Sequence, residues 1–117
     1  MIEVYHIRYD VSGEQRREVT WVQDDASHDA AVLALWNATG YQQVAVVDTD
    51  DLEVAWALTN NIHTSWSMEP NRRVRVTAPL PVIDGKTYGH KSSEVGDVFV
   101  LNGARHIAAS CGFRKLS

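Results

Sequence analysis

The stretch VGDVFVLNGARHIAAS, residues 95–110, decides the fold, because it predicts a β-hairpin near the end of the chain. Asn102 and Gly103 tolerate the positive φ that a two-residue type I′ turn requires, and apolar residues flank them on both sides. Such a turn sets the cross-strand pairs, which are counted outward from it. The predicted pairs are Leu101 with Ala104, Phe99 with His106, Asp97 with Ala108, and Val95 with Ser110.

Strand alternation sorts the side chains of this hairpin onto two faces. The expected core face holds Val98, Val100, Ile107, Ala109 and Cys111, with Arg105 as an exception near the turn, and the other face holds Asp97, Phe99, Leu101, His106, Ala108 and Ser110. We interpret Cys111 as a small buried residue, since free cysteine is usually buried. Asp97, His106 and Ser110 share a face, but no sharp nucleophile turn or anion-binding loop accompanies them, so we assign no catalytic residue.

The first half of the chain predicts a second hairpin and a helix. Ile2 to Tyr9 and Glu18 to Gln23 are rich in β-branched and aromatic residues, with turn chemistry between them, which favours two paired strands. Ser27 is the expected N-cap of a helix over residues 28–39, which Gly40 ends.

The middle of the chain predicts a central strand and a second helix. Tyr41 to Val47 contains an apolar run without alternation, as in a strand covered on both faces. Asp50 or Asp51 caps the helix, and its inner side is expected to consist of Leu52, Ala55, Leu58 or Thr59, and Ile62, with Pro70 ending the helical region.

The segment from residue 73 onward predicts an edge strand and a loop before the terminal hairpin. Residues 73–76 alternate charged and apolar side chains, which predicts a strand with one face in solvent. Residues 78–87 are rich in turn residues, which predicts a loop. The predicted order β-β-α-β-α-β-β-β implies a single α+β domain over residues 1–117, a mostly antiparallel sheet with two helices on one face.

Composition excludes several classes of protein. The chain has 117 residues, 44% of them hydrophobic, with a formal net charge of -4 and one cysteine, which is typical of a globular domain without disulfides. No apolar run is long enough to span a membrane and no signal peptide leads the chain, so we expect a cytoplasmic protein. The only basic cluster is Arg72, Arg73 and Arg75, which leaves weak nucleic-acid binding as an alternative.

A metal-dependent enzyme is a second alternative. The apolar strand that leads into Asp48, Thr49 and Asp50 resembles the opening motif of haloacid-dehalogenase-type phosphotransferases, whose carboxylates bind Mg²⁺. Such a site would use Asp48, Asp50 and Asp97, but helix capping explains Asp50 more simply. The five histidines have no zinc-binding spacing and no phosphate-binding glycine loop occurs, so we predict no metal site and no cofactor.

The polar segment after the second helix holds the candidate binding residues. They are Trp66, Met68, Arg72 and Arg73, since Trp and Arg are enriched at binding hot spots. In the alternative interpretation, Trp66 folds back over the helix end and closes the core.

Two pieces of the chain resemble a known group of proteins. Thr59-Asn60, Trp66, Asn71, the run Ser92-Ser93-Glu94-Val95-Gly96-Asp97-Val98 and the closing Gly112-Phe113 resemble small, mostly uncharacterised proteins of actinobacteriophages, including mycobacteriophages. The last part is similar to the YodL-like domain of mobile-element proteins. The resemblance covers about residues 52–116, with Glu94 standing where the pattern usually has Ser. It implies a phage or mobile-element context, and the resulting hypothesis is a non-enzymatic accessory protein that binds a host or defence protein.

Overall fold

In the computed structural model, which describes residues 1–116, one antiparallel sheet of six strands forms the frame of an α+β domain. The α+β class is confirmed; Ser117, the last residue of the predicted domain, lies outside the described residues. The elements are β1 (Ile2–Ile7), α1 (Gly13–Thr20), α2 (Asp25–Asn37), β2 (Tyr41–Val47), α3 (Leu52–Leu58), β3 (Val74–Val76), β4 (Val82–Ile83), β5 (Lys86–Thr87), β6 (Val98–Leu101), β7 (Ala104–Ala108) and β8 (Phe113–Lys115).

The large sheet has the order β3-β2-β1-β6-β7-β8, and β4 and β5 form a separate two-stranded sheet. The predicted terminal hairpin is confirmed in its register, since Phe99 pairs with His106 and Leu101 with Ala104. Asn102 and Gly103 adopt φ angles of 52° and 76°, as a type I′ turn requires. β1 lies between β2 and β6, so the first strand of the chain is central in the sheet.

Helices cover both faces of the sheet, which differs from the expected two helices on one face. Neighbouring residues of β6 point into different cores: Val98 packs with Val19 of α1 and Val32 of α2, whereas Phe99 packs with Ala55 of α3. The predicted division of the hairpin side chains between two faces is therefore correct, but the face that is expected to point away from the core is also buried. Apolar residues at successive strand positions indicate a sheet that is covered on both faces.

The expected strand over Glu18 to Gln23 is wrong, because residues 13–20 form helix α1. The side chain of Ser12 accepts a hydrogen bond from the backbone N–H of Gln15, so the apparent turn residues act as a helix cap. Only Val19 of this short helix is buried, which explains why its apolar periodicity is weak.

The other two helices appear where expected, with different ends. Asp24, not Ser27, caps α2 by accepting from the N–H of Ser27. Asp51 caps α3 as predicted, but this helix ends at Leu58, and Ile62 is exposed instead of facing the core. The hydroxyl of Thr59 donates to Ala55 O at 2.8 Å and satisfies a carbonyl of the last helical turn.

Two further expectations about the C-terminal half are corrected. Residues 82–87 form the β4–β5 hairpin instead of a loop, because Asp84 and Gly85 adopt φ angles of 52° and 78° and make the same kind of turn as Asn102 and Gly103. Cys111 is exposed, because it lies in the tight connection between β7 and β8, where Ala109 N donates to Gly112 O at 2.8 Å.

Candidate functional site

A buried polar cluster forms where the loop over residues 59–71 meets the loop over residues 90–97. The backbone N–H of Ser93 donates to Thr59 O at 2.9 Å, and the amide of Asn61 donates to His90 O at 2.9 Å. Ser92 Oγ also accepts from the N–H of Asn61 at 2.8 Å. Most of the residues that carry the sequence resemblance therefore lie in one contiguous place.

Trp66 lies under this junction and is part of the core. Its side chain is 6% exposed, and its indole N–H donates to Lys91 O at 2.8 Å. The ring lies 5.8 Å from the ring of His90 and 6.0 Å from that of His6, measured between centroids. This corrects the assignment of Trp66 to the contact residues: it closes the core beyond α3, as the alternative interpretation predicts.

Asp97 is the charged centre of the cluster and is completely buried. Its carboxylate accepts from the N–H groups of Ile7 at 3.2 Å and Glu94 at 2.8 Å, and from the ammonium of Lys91 at 3.2 Å. Burial raises the pKa of Asp97 to about 6, although Lys91 and the two N–H groups favour the charged form. Asp97 thus joins β1 to the start of β6, and Lys91 neutralises it.

His6 of β1 is neutral in this environment. Burial lowers its pKa to about 2, and the positive charge of Lys91 acts in the same direction. The contact of 3.7 Å between His6 Nε2 and Asp97 Oδ2 is therefore not an ion pair.

A chain of hydroxyl hydrogen bonds links His6 to α3. His6 Nε2 lies 2.9 Å from Ser93 Oγ, which lies 2.7 Å from Thr59 Oγ1. Since Thr59 donates to Ala55 O, the consistent direction is that His6 donates to Ser93 and Ser93 donates to Thr59. This leaves the buried Nδ1 of His6 as an acceptor without a partner among the described residues.

The arrangement of Ser93, His6 and Asp97 is not a hydrolytic triad. Both Ser93 and Asp97 face the same ring nitrogen of His6, whereas a triad needs the acid on one nitrogen and the nucleophile on the other. Ser93 is also buried, so a substrate has no path to its hydroxyl. The cluster holds loops in place; it does not present a nucleophile.

The residues that sequence reasoning placed on one hairpin face do not come together either. His106 Nδ1 faces Ala104 O at 3.1 Å, and Ser110 is exposed in the β7–β8 connection. Asp97 is engaged instead by Ile7, Glu94 and Lys91. The sequence alone does not predict His6 and Lys91 as neighbours of Asp97, or Thr59 as the partner of Ser93.

Asp97 lies far from Asp50, so the alternative metal site does not come together. Asp50 lies 2.8 Å from the terminal ammonium of Met1, whereas Asp97 binds the N–H of Ile7 at the other end of β1. Strand rise places these ends about 17 Å apart. Within residues 1–116, no group of three or more His, Cys, Asp or Glu side chains could hold a metal ion.

The remaining predicted binding residues lie at the surface. Met68 is 51% exposed, and Arg72, Arg73 and Arg75 are exposed as well. The guanidinium of Arg73 donates to Asp48 O at 3.1 and 3.2 Å, which holds the end of β2 against the residues preceding β3.

The β4–β5 hairpin carries a group of exposed apolar residues. Val82 is 65% exposed, Ile83 58% and Tyr88 43%. Val82 and Ile83 point to opposite faces of the hairpin, so both of its faces are in solvent. Met68 lies beside its base, because a Cβ atom on Gly89 would be 3.3 Å from Met68 Cγ. We call Met68, Val82, Ile83 and Tyr88 the hairpin surface.

Comparisons with known proteins identify no relative of this chain. No family model matches the chain, and neither a curated protein nor a solved structure matches it. Among residues 1–116, none of the helices combines the length and the apolar character that crossing a bilayer demands.

Proposed function

We propose that this chain is a non-enzymatic accessory protein of a phage or mobile element that binds a host or defence protein in the host cytoplasm. The observation that carries the proposal is the hairpin surface. A two-stranded hairpin is only marginally stable alone, and the apolar side chains on both of its faces are surface that a partner can cover. The resemblance to actinobacteriophage proteins supplies the context.

The buried polar cluster supports this role by fixing the segments on either side of the hairpin. The N–H of His90 donates to Ser67 Oγ at 2.7 Å, and the hydroxyl of Tyr9 lies 3.1 Å from His90 Nδ1. His90 Nε2 donates to Ala78 O at 3.2 Å, so the imidazole ties the residues before the hairpin to the segment that follows β1, and the backbone N–H of His90 ties them to the loop of Met68. A rigid base lowers the entropy that the hairpin loses when a partner binds.

The hairpin surface favours a protein partner over nucleic acid. Its members carry no charge, and the ammonium of Lys86 lies 5.2 Å from the ring of Tyr88. Nucleic-acid sites need several cations directed at phosphates. Arg72 and Arg73 stay candidate contact residues, because both are exposed.

Site-specific photo-crosslinking tests the proposal. The full chain carries a photoreactive residue at Ile83 or, as the matched control, at Leu33 on the exposed side of α2, and is expressed in an actinobacterial host. We expect a defined host protein to crosslink through position 83 and not through position 33. The same crosslinks from both positions would overturn the proposal.

A pair of surface variants provides the second measurement. Val82→Ser with Ile83→Ser removes apolar surface without touching the core, and Leu33→Ser is the control. We expect the crosslinked host protein to co-purify with the control variant and to be lost from the double variant, by at least about tenfold. Retention by the double variant would contradict binding through the hairpin surface.

A further inference from the structure

A groove lies between α1 and α2, and none of the residues that line it belongs to the hairpin surface. It has a volume of about 520 Å³ and lies between the second half of α1 and the first two turns of α2. Small-molecule sites span roughly 300–1,000 Å³. The groove is therefore large enough for a ligand of the size of an amino acid or somewhat larger.

Trp21 forms one wall of the groove and is 73% exposed. It is the C-cap of α1, and its backbone N–H donates to Arg17 O at 2.9 Å, so its main chain is held while its indole remains in solvent. A tryptophan with this exposure is unusual, because its large apolar surface normally finds cover.

The floor of the groove is apolar and fixed. His28 lies there, with Nε2 donating to Val19 O at 2.6 Å and Nδ1 2.9 Å from a nitrogen of Arg114. Both ring nitrogens are occupied and the side chain is 1% exposed, so the imidazole supports the floor from below and offers a ligand no polar atom. Ala31, one helical turn later, adds a methyl group. This floor fits a flat ring better than a polar group.

Two charges of opposite sign line the same groove. They are Arg17 and Glu18, and neither makes an ion pair among residues 1–116. A guanidinium matches a carboxylate, and a carboxylate matches an ammonium. The groove thus combines an exposed indole, an apolar floor and one available charge of each sign.

We propose that this groove binds a small aromatic zwitterion, of the chemical class of the aromatic α-amino acids. The aromatic ring packs on the indole of Trp21, where stacking between rings is favourable, and against the methyl group of Ala31. The carboxylate of the ligand pairs with Arg17, and its ammonium pairs with Glu18. Binding does not depend on the proposed protein partner, because the two sites have no residue in common.

Titration of the full chain with four probes tests the ligand class. Backbone amide chemical shifts are followed on addition of L-phenylalanine, 2-phenylethylamine, 3-phenylpropionate and L-alanine. We expect L-phenylalanine to shift residues 17–31 and to bind at least about tenfold more tightly than each of the other three, which lack a charge or the ring. The proposal is overturned if millimolar L-phenylalanine leaves these residues unshifted, or if the singly charged probes bind as tightly.

Variants of exposed side chains separate the site from non-specific effects. Trp21→Ala, Glu18→Gln and Arg17→Gln are each expected to weaken L-phenylalanine binding by about tenfold or more, whereas Arg72→Gln, an exposed arginine elsewhere, leaves it unchanged. Unchanged binding by Glu18→Gln and Arg17→Gln would remove the zwitterion assignment. None of these changes affects the hairpin surface, so this test can fail while the crosslinking test succeeds, and the reverse.

Discussion

The β4–β5 hairpin turns at Asp84 and Gly85 with φ angles of 52° and 78°, and the β6–β7 hairpin turns at Asn102 and Gly103 with φ angles of 52° and 76°. The two turns have the same local geometry. Their surroundings are opposite: β6 and β7 lie between β1 and β8 with buried residues on both faces, whereas β4 and β5 pair only with each other.

This difference shows that the local sequence determines whether a hairpin forms, whereas its surroundings determine whether its side chains are buried. The two-residue turn and the flanking pairs are local, so either sequence can form its hairpin. Apolar residues of β6 and β7 complete two cores, and those of β4 and β5 remain in solvent. One hairpin therefore stabilises the domain, and the other is available to a partner.

Truncation of an apolar side chain in each hairpin tests the contrast most strongly. Phe99 is completely buried and packs against Phe113, with ring centroids 5.0 Å apart. We expect Phe99→Ala to lower the free energy of unfolding by about 3–5 kcal/mol. Ile83→Ala should change it by less than about 0.5 kcal/mol. Urea denaturation of both variants measures the difference, and equal losses would contradict the division into a core hairpin and a surface hairpin.

The pH dependence of the free energy of unfolding tests the charge of Asp97, which lies just before β6 of the buried hairpin. The pKa of Asp97 is about 6 in the folded chain and near 3.8 in the unfolded chain, so the folded state binds more protons between these values. Ionisation of Asp97 therefore lowers the free energy of unfolding as pH rises from 4 to 6, by about 2 kcal/mol. His6 has the opposite sign, because its pKa is lowered to about 2 and its contribution is lost as pH falls below 6.5.

The variant Asp97→Asn isolates this effect. Its stability relative to the unmodified chain should increase by about 2 kcal/mol between pH 4 and pH 6, because only the slope of His6 remains. Ile83→Ala, which removes no titratable group, serves as the control. The measurement is urea denaturation at several pH values, and a flat difference for Asp97→Asn would refute the raised pKa.

Removal of the Ser93 hydroxyl tests how the buried hairpin is anchored to β1 and α3. In Ser93→Ala, the Nε2–H of neutral His6 loses its acceptor in a buried place. We expect a loss of about 1–3 kcal/mol in the free energy of unfolding. Ser110→Ala removes an exposed hydroxyl and is the matched control. A loss no larger than that of the control would show that the hydroxyl chain contributes little.

Replacement of the glycine in each turn by alanine compares the two hairpins directly, and its expected effect on stability is the smallest. No atom lies within 4 Å of a Cβ placed on Gly85 or on Gly103, so alanine adds only backbone strain at positive φ. We expect Gly103→Ala to lower global stability by about 1–2 kcal/mol. Gly85→Ala should instead open the surface hairpin alone.

Amide hydrogen exchange distinguishes these outcomes. The reporter is the N–H of Tyr88, which donates to Pro81 O at 2.9 Å across the β4–β5 hairpin. Gly85→Ala should speed its exchange while urea denaturation stays unchanged. Equal global losses from both glycine variants would mean that the surface hairpin unfolds with the domain.

Several elements follow from the sequence because neighbouring residues determine them. Asn102 and Gly103 predict the β6–β7 hairpin with its register, and Asp51 predicts the start of α3. Asp84-Gly85 is an equally strong turn signal, but the neighbouring prolines favour a loop. The sequence predicts a strand where α1 ends, because one buried residue in eight gives little helical periodicity.

The Asn102-Gly103 turn, the Asp51 cap, the strand parity of the terminal hairpin and the α+β class follow from the sequence, since they depend mainly on residues close together along the chain. Which faces are covered, that Trp66 is buried and Cys111 exposed, and which partners surround Asp97 follow from the tertiary structure alone. The bond from His6 to Ser93 joins residues 87 positions apart. Such a contact has no local pattern, because it exists only after the sheet has brought β1 beside β6.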